Sequence, residues 1–172
     1  MAKAGSDKFA NMAAVLVTES AANTLTFQKL ETGIAIFEKV AWVISRWEVR
    51  VAPTLTNFAD TEDSLDVALT CSQNLSSIAT YNEPCILAWY RLIYHESGTP
   101  ANFSFFHSPT VFSYADMPGG GLIVPPNPLY LGVKGAGLAG AQSVSCRFWY
   151  STLQLTPDEY WELVEARRII SS

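Results

Sequence analysis

One stretch of this sequence matches a motif of known chemistry. Gly135-Ala136-Gly137-Leu138-Ala139-Gly140 has the G-x-G-x-x-G spacing of dinucleotide-binding loops. That chemistry requires the glycines to lead directly into a helix, whose N-terminus holds the pyrophosphate. Here the next residues, Ser143–Leu155, alternate between apolar and polar side chains, as a strand does. We therefore interpret the stretch as a flexible loop between two strands and expect no nucleotide cofactor.

A histidine and carboxylate set is the second candidate for chemistry. His95, Glu96 and His107 are the residue types of a two-histidine, one-carboxylate metal site. Histidines and acids at strand ends are typical of cupins, but the glycine-bounded H-x-H spacing of that family is absent. A cupin-like metal enzyme is therefore kept as an alternative, and the favoured interpretation assigns no metal ligand.

Neither the cysteines nor the acidic residues form a ligand pattern. The three cysteines contain no C-x-x-C pair, and their odd number argues against a disulfide framework. An acidic run precedes a predicted strand without the D-x-D-x-D-G order of a calcium loop, and we expect it to form a solvated loop. That run consists of Asp60, Glu62, Asp63 and Asp66. No catalytic or cofactor-binding residue is assigned.

The chain of 172 residues is poor in charge, with 16% charged residues against about 25% in soluble domains. A surface short of charge is typical of a subunit that packs against other protein. The net charge is −5, and only Arg167 and Arg168 are adjacent among the basic residues, so no nucleic-acid stripe is predicted. We expect no membrane-spanning segment and, from Met1–Ala10, no secretion signal.

Alternation at period two predicts that most of the chain is β-structure. The longest predicted strands are Val40–Val51, Cys85–His95 and Gln142–Leu155. In the first, one predicted face holds Trp42, Ile44, Arg46, Glu48 and Arg50. Shorter strands are predicted at Ala13–Thr18, Leu25–Lys29, Ile34–Glu38, Leu65–Cys71, Phe103–His107, Thr110–Tyr114 and Tyr130–Val133. Many strands with short connections indicate an all-β, antiparallel sandwich or barrel.

Helix signals are few. Thr156-Pro157-Asp158-Glu159 is a capping box with proline at the first helical position, and it predicts a helix from Pro157 to about Arg168. A helix of one or two turns is predicted at Asn74–Tyr81. The predicted organisation is a short arm over residues 1–12, a sandwich over 13–155, and a helix with a tail over 156–172.

The long strands named above, with long loops near Asn57–Asp63 and Met117–Asn127, resemble the single jelly-roll coat proteins of small icosahedral viruses. The resemblance is of strand pattern and proportion over Ala13–Leu155. It implies a jelly roll of eight or more strands that self-assembles into a closed shell, without catalysis. Its partners would be copies of itself and other capsid proteins, and its location the virion. Met1–Met12 carries only Lys3 and Lys8, so a genome-binding arm is not expected.

Two apolar segments are predicted to contact a neighbouring subunit. Leu122, Ile123 and Val124 stand between glycines and prolines, where we expect an apolar loop tip. Trp161, Ile169 and Ile170 have no obvious place on the chain's own sandwich. The alternative to a shell subunit is a β-sandwich module that binds a ligand or carbohydrate through the exposed aromatic rings of Trp47, Trp89 and Trp149.

Overall fold

The structure, a computed structural model, describes residues 11–31, 39–52, 62–79, 85–93, 109–125 and 128–170, of which 167–170 are described as backbone alone. The predicted strands Ile34–Glu38 and Phe103–His107, the set His95, Glu96 and His107, and most of the loop Asn57–Asp63 lie outside these residues. The described chain forms nine strands and one helix: β1 Asn11–Thr18, β2 Thr26–Lys29, β3 Val40–Ala52, β4 Ser64–Thr70, β5 Ile86–Ile93, β6 Thr110–Ser113, β7 Leu122–Val124, β8 Tyr130–Ala136, β9 Ser143–Gln154 and α1 Pro157–Ile170.

The strands form two antiparallel sheets. One has the order β1-β9-β3-β6, with β7 also paired to β3, and the other has the order β2-β8-β4-β5. The partners are therefore nested along the chain, with β1 on β9, β2 on β8, β3 on β6 and β4 on β5. This is the connectivity of a long hairpin wound into two sheets, which is a jelly roll. The predicted fold class is confirmed.

The core lies between the sheets and is built from alternate residues of each strand. Val144, Cys146 and Phe148 of β9 are buried, as the period-two pattern predicts. Trp47 of β3 lies in the same layer, stacked against Phe112 at 5.1 Å and Phe148 at 6.1 Å between ring centroids. Large aromatic rings therefore fill the centre of the sandwich.

A β-bulge in β3 changes which side chains face the core. The register against β9 shifts between Ile44 and Arg46, so Ser45 is the extra residue. Before the bulge the even-numbered residue Ile44 is buried, and after it the odd-numbered Trp47 is buried. The prediction that Trp42 and Ile44 share a face with Arg46, Glu48 and Arg50 is therefore wrong, because one added residue moves all later side chains to the opposite face.

The segment between β4 and β5 covers the outer face of the second sheet. The helix predicted at Asn74–Tyr81 does not form over the described residues 74–79. Instead Ile78 is fully buried, and a Cβ on Gly132 would lie 3.5 Å from its Cδ1. Gly132 lies between the core residues Leu131 and Val133, so it faces outward. Ile78 therefore packs on the outside of the sheet.

An ion pair anchors this covering segment. Arg91 of β5 donates to both carboxylate oxygens of Asp66 of β4, at 2.7 and 2.9 Å, and its Nη2 donates to the carbonyl of Ala79 at 3.0 Å. Asp66 and Asp63 are buried, with exposures of 3% and 4%. The prediction of a solvated acidic loop is wrong for these two residues. Asp66 lies on the outer face of β4, where Arg91 and the segment 71–79 cover it, and Asp63 lies beside Gly137 of the connection from β8 to β9.

The terminal helix begins as the sequence predicts. The amide of Glu159 donates to Thr156 Oγ1 at 3.4 Å, and the Thr156 amide donates to Glu159 Oε2 at 2.9 Å. These two hydrogen bonds complete the capping box. The amide and the hydroxyl of Thr156 both donate to Glu159 Oε2 and thereby lower the pKa of Glu159, because they favour the ionised carboxylate. The start of the helix is therefore fixed by residues of its own first turn.

Candidate functional site

The edge strand β1 is apolar on both faces. It pairs with β9 alone among the described strands and therefore ends its sheet. Val15 and Val17 face the core, whereas Met12 and Leu16 face outward with exposures of 56% and 61%. Natural proteins protect such edges with charges, prolines or bulges. The sequence of β1, Asn11–Thr18, contains no charge or proline, and its register on β9 is continuous.

A groove runs between this edge and the edge of the other sheet. β1 and β2 each end a sheet on the same side of the sandwich, and the space between them is about 260 Å³. It is lined by Ala13–Leu16 from β1 and by Gln28–Glu31 from β2 and the residues after it. The apolar wall therefore belongs to β1, and the polar wall, with Lys29 and Glu31, to the β2 side.

Other exposed apolar side chains lie mainly at the ends of the sheets. Ile93 is on β5 and Val111 on β6, and both strands end their sheets in the described part of the chain. Met117 follows β6, and Trp161 is on α1. The broad outer faces between the edges carry none of these side chains. The apolar surface is therefore concentrated on the rim of the sandwich.

The predicted loop tip is a strand. Leu122–Val124 forms β7, in which Val124 is fully buried in the core and Leu122 packs against it. Val124 is thus covered by its own chain and is not available to a neighbour. Ile123 pairs with Val43 on the outer side of the sheet and is half-buried. The expectation of an exposed three-residue tip is corrected, because pairing with β3 turns alternate side chains inward.

Of the three residues predicted to contact a neighbour through the helix, only Trp161 has a described side chain. Its side chain is 59% exposed, whereas the adjacent Tyr160 is buried at 5%. The two rings contact each other edge to face at 6.1 Å between centroids. Ile169 and Ile170 belong to α1, but their side chains are not described. The ring of Trp161 is therefore exposed to solvent beside the buried ring of Tyr160. Its role in an interface stays a prediction.

The glycine motif lies in the connection from β8 to β9. Gly135 is still part of β8, and strand β9 begins at Ser143, so no helix follows. The loop amides have a carboxylate partner within the chain, because Glu19 accepts the Gly135 amide at 2.7 Å and the Gln142 amide at 3.0 Å. Asn23 also exchanges hydrogen bonds with the backbone of Leu138. The arrangement ties the loop to the end of β1.

The aromatic residues of the binding-module alternative do not form an open platform. Trp47 is 1% exposed and belongs to the core. Trp89 and Trp149 are half-buried, and each carries a guanidinium over its ring, Arg91 at 5.3 Å and Arg46 at 4.7 Å from the centroid. These positions leave little free ring surface for a sugar to stack on.

Within the described ranges, no group of three or more His, Cys, Asp or Glu side chains is placed to hold a metal ion. All three cysteines are thiols, and Cys85 and Cys146 are buried. Across the same residues, no helix has the length and apolar character needed to cross a membrane.

Among known proteins, similarity to this chain is found in structure and not in sequence. No family model matches the sequence, and no curated protein matches it. Among solved structures, the chain is similar to VP1 of Trichodysplasia spinulosa-associated polyomavirus, at 9% sequence identity and a TM-score of 0.49. The alignment covers 88% of this chain and 98% of that one. The jelly-roll assignment rests on the strand order of the chain itself.

The outward row of β1 was missed as a site by sequence reasoning. The sequence predicts Met12 as part of the arm over residues 1–12 and Leu16 as part of the strand Ala13–Thr18. The sequence nevertheless contains a signal for this site. A strand whose odd-numbered and even-numbered residues are both apolar, and which carries no charge, is expected to be covered on both faces. The sequence alone could not show that β1 ends a sheet, since strand order depends on distant partners.

Proposed function

We propose that this protein is a structural subunit that assembles with copies of itself into a closed shell of the viral-capsid type, without catalysis. The observation that carries the proposal is the uncharged edge strand β1, with Met12 and Leu16 exposed on its outer face. An edge of this kind is an aggregation hazard in a monomer. A neighbouring copy that covers it removes the hazard and uses the edge as a contact.

The energetics favour repeated weak contacts. Complete burial of a large apolar side chain stabilises by about 1.5–3 kcal/mol, so Met12 and Leu16 alone support a modest contact. A symmetric shell repeats the same contact at every subunit, and the contacts of one subunit reinforce each other. The low charge content of 16% further reduces the desolvation cost at the rim.

The proposed location is the virion, and the proposed partners are further copies of the chain and other capsid proteins. The carbohydrate-binding alternative has less support, because Trp47 is buried and the rings of Trp89 and Trp149 are partly covered. The metal-enzyme alternative depends on His95, Glu96 and His107, which lie outside the described residues.

The test compares the native mass of the wild-type protein with that of an edge variant. Wild-type protein is expected to sediment as a large, discrete multiple of 18.9 kDa and to form shells in negative-stain micrographs. Met12→Lys with Leu16→Lys adds the charges that protected edges carry, and should yield dispersed subunits. Melting should be nearly unchanged, because exposed substitutions usually alter stability by about 0.5 kcal/mol or less.

The control adds the same two charges elsewhere. Gln73→Lys with Asn74→Lys lies in the segment between β4 and β5, where both side chains are exposed. This variant should assemble like the wild type. The proposal is overturned if the wild-type protein remains a monomer at every salt concentration, or if the edge variant assembles as well as the control.

A further inference from the structure

The outer face of the sheet β1-β9-β3-β6 gathers arginines that are far apart in the sequence. After the bulge at Ser45, Arg46 and Arg50 lie on the outward row of β3, with Glu48 between them. Arg147 of β9 is directly opposite Glu48 in the register. Residues that pair across an antiparallel ladder point to the same side, so these four side chains form one cluster.

Within this cluster, Arg46 and Glu48 compensate each other. Arg46 Nη2 lies 3.5 Å from Glu48 Oε2, and the guanidinium rests over the ring of Trp149. The Glu48 side chain is only 16% exposed, so its carboxylate is largely covered. Arg50 and Arg147 are both exposed and have no hydrogen-bond or ion-pair partner among the residues that the structure describes. Two positive charges on this face are therefore not compensated by any residue that the structure describes.

These two arginines share a depression of about 200 Å³. Its other lining residues are Glu48, Pro109 and Ser145, and Ser145 is opposite Arg50 in the register. Adjacent strands lie about 4.8 Å apart, so donors from β3 and β9 reach the same small volume. The depression thus offers two guanidinium groups and one hydroxyl. Glu48 also lines it, and its Oε2 lies 3.5 Å from Arg46 Nη2.

We infer that the depression between Arg50 and Arg147 binds a phosphate group. A guanidinium presents a planar fork of donors that matches two oxygens of a phosphate. The two guanidiniums carry two positive charges and therefore match a phosphate dianion, whereas a carboxylate ligand would neutralise only one of them. The same chemistry has two sources, a free phosphate-type anion and the phosphodiester chain of a single-stranded nucleic acid. The inference does not depend on shell formation.

The experiment is calorimetric titration of the full chain as dispersed subunits, first with inorganic phosphate and separately with a short oligodeoxythymidylate. Ionic strength is held constant with chloride. Arg50→Gln and Arg147→Gln should each weaken binding about tenfold, since a hydrogen bond to a charged group is lost. Glu48→Gln should strengthen binding, because it removes the negative charge from the depression without changing the side-chain shape.

Lys29→Gln is the charge-matched control, because Lys29 is an exposed cation on β2 of the other sheet. It should bind like the wild type. Binding of phosphate alone identifies a free anion as the ligand, and oligonucleotide binding that weakens steeply with salt identifies the phosphodiester chain. The inference is overturned if neither probe binds more strongly than chloride, if Lys29→Gln weakens binding as much as Arg50→Gln, or if Glu48→Gln weakens binding.

Discussion

At the scale of single residues, burial decides which side chains can react. Cys146 lies on the inner face of β9 and is 1% exposed. Burial raises the pKa of its thiol from 9.0 to about 12, because the charged thiolate would lose its hydration. Since the thiolate is the nucleophile, the thiol of Cys146 is inert near neutral pH. A buried cysteine in this position acts as a small apolar side chain.

We therefore expect Cys146 to resist iodoacetamide in the folded protein and to react after unfolding in guanidinium chloride, as measured by mass spectrometry of peptides. The same pKa predicts a loss of stability in alkali. The folded state holds the proton more tightly, so the contribution is complete below pH 9 and declines as the pH rises from 9 towards 12. Cys146→Ala should remove this part of the pH dependence. Rapid alkylation of Cys146 in the folded protein would contradict the prediction.

At the scale of elements, the segment between β4 and β5 depends on a few polar contacts. It has no helix of its own in the described residues 71–79, and Ile78 is the apolar side chain that is fully buried there. Thr70 Oγ1 donates to the carbonyl of Ser72 at 2.8 Å at one end, and Arg91 bonds the carbonyl of Ala79 at the other. The pair between Asp66 and Arg91 therefore fixes the end of this segment against the sheet.

Loss of Arg91 should destabilise the fold through Asp66. Arg91→Gln is expected to lower the free energy of unfolding by about 2–3 kcal/mol, because Asp66 would remain buried without its cation. Asp66→Asn with Arg91→Gln should cost less than the sum of the two single changes, and urea unfolding of all three variants measures the difference. Arg147→Gln, an exposed arginine without an ion pair in the described chain, is the control and should change stability by about 0.5 kcal/mol or less. Strict additivity of the two single changes would show that the pair is not coupled.

At the scale of the whole molecule, the exposed apolar side chains lie mainly on edge strands, after β6 and on α1. On the outer face of the sheet β1-β9-β3-β6, the outward row of β1 is the direct neighbour of the arginine cluster, because Ala14 is opposite Arg147 and Leu16 is opposite Ser145 in the register. The net charge of −5 opposes close packing of subunits, and salt screens that repulsion. Contacts between copies are therefore favoured at elements that carry no charge of their own, such as β1.

Substitution of Trp161 tests whether α1 contributes to contacts between copies. Trp161→Ala should weaken assembly and leave melting nearly unchanged, because the ring is 59% exposed and alanine maintains the helix. The matched control is Glu162→Ala, the adjacent exposed residue of α1, which should assemble normally. Sedimentation reports assembly and circular dichroism reports melting. A large fall in the melting temperature of Trp161→Ala would instead place the ring against its own sandwich.

Local pattern determined the features that depend on neighbouring residues. The long strands β3, β5 and β9 follow from alternation at period two, which imposes an extended conformation wherever one face is buried. The start of α1 follows from Thr156 and Glu159, which satisfy each other's amides three residues apart. The sandwich class also follows, since many short-linked strands have few other ways to bury their faces.

Tertiary structure alone decided the features that depend on distant partners. The bulge at Ser45 lies where β3 pairs with β9 between its pairings with β7 and β6, and no local signal in the sequence marks it. Leu122–Val124 is a strand because its backbone pairs with Trp42–Ile44 of β3. The pairing of Asp66 with Arg91, 25 residues apart, and the approach of Arg147 to Arg50 both follow from the register. Sequence pattern shows which faces are apolar, but only the strand order shows which edges remain uncovered.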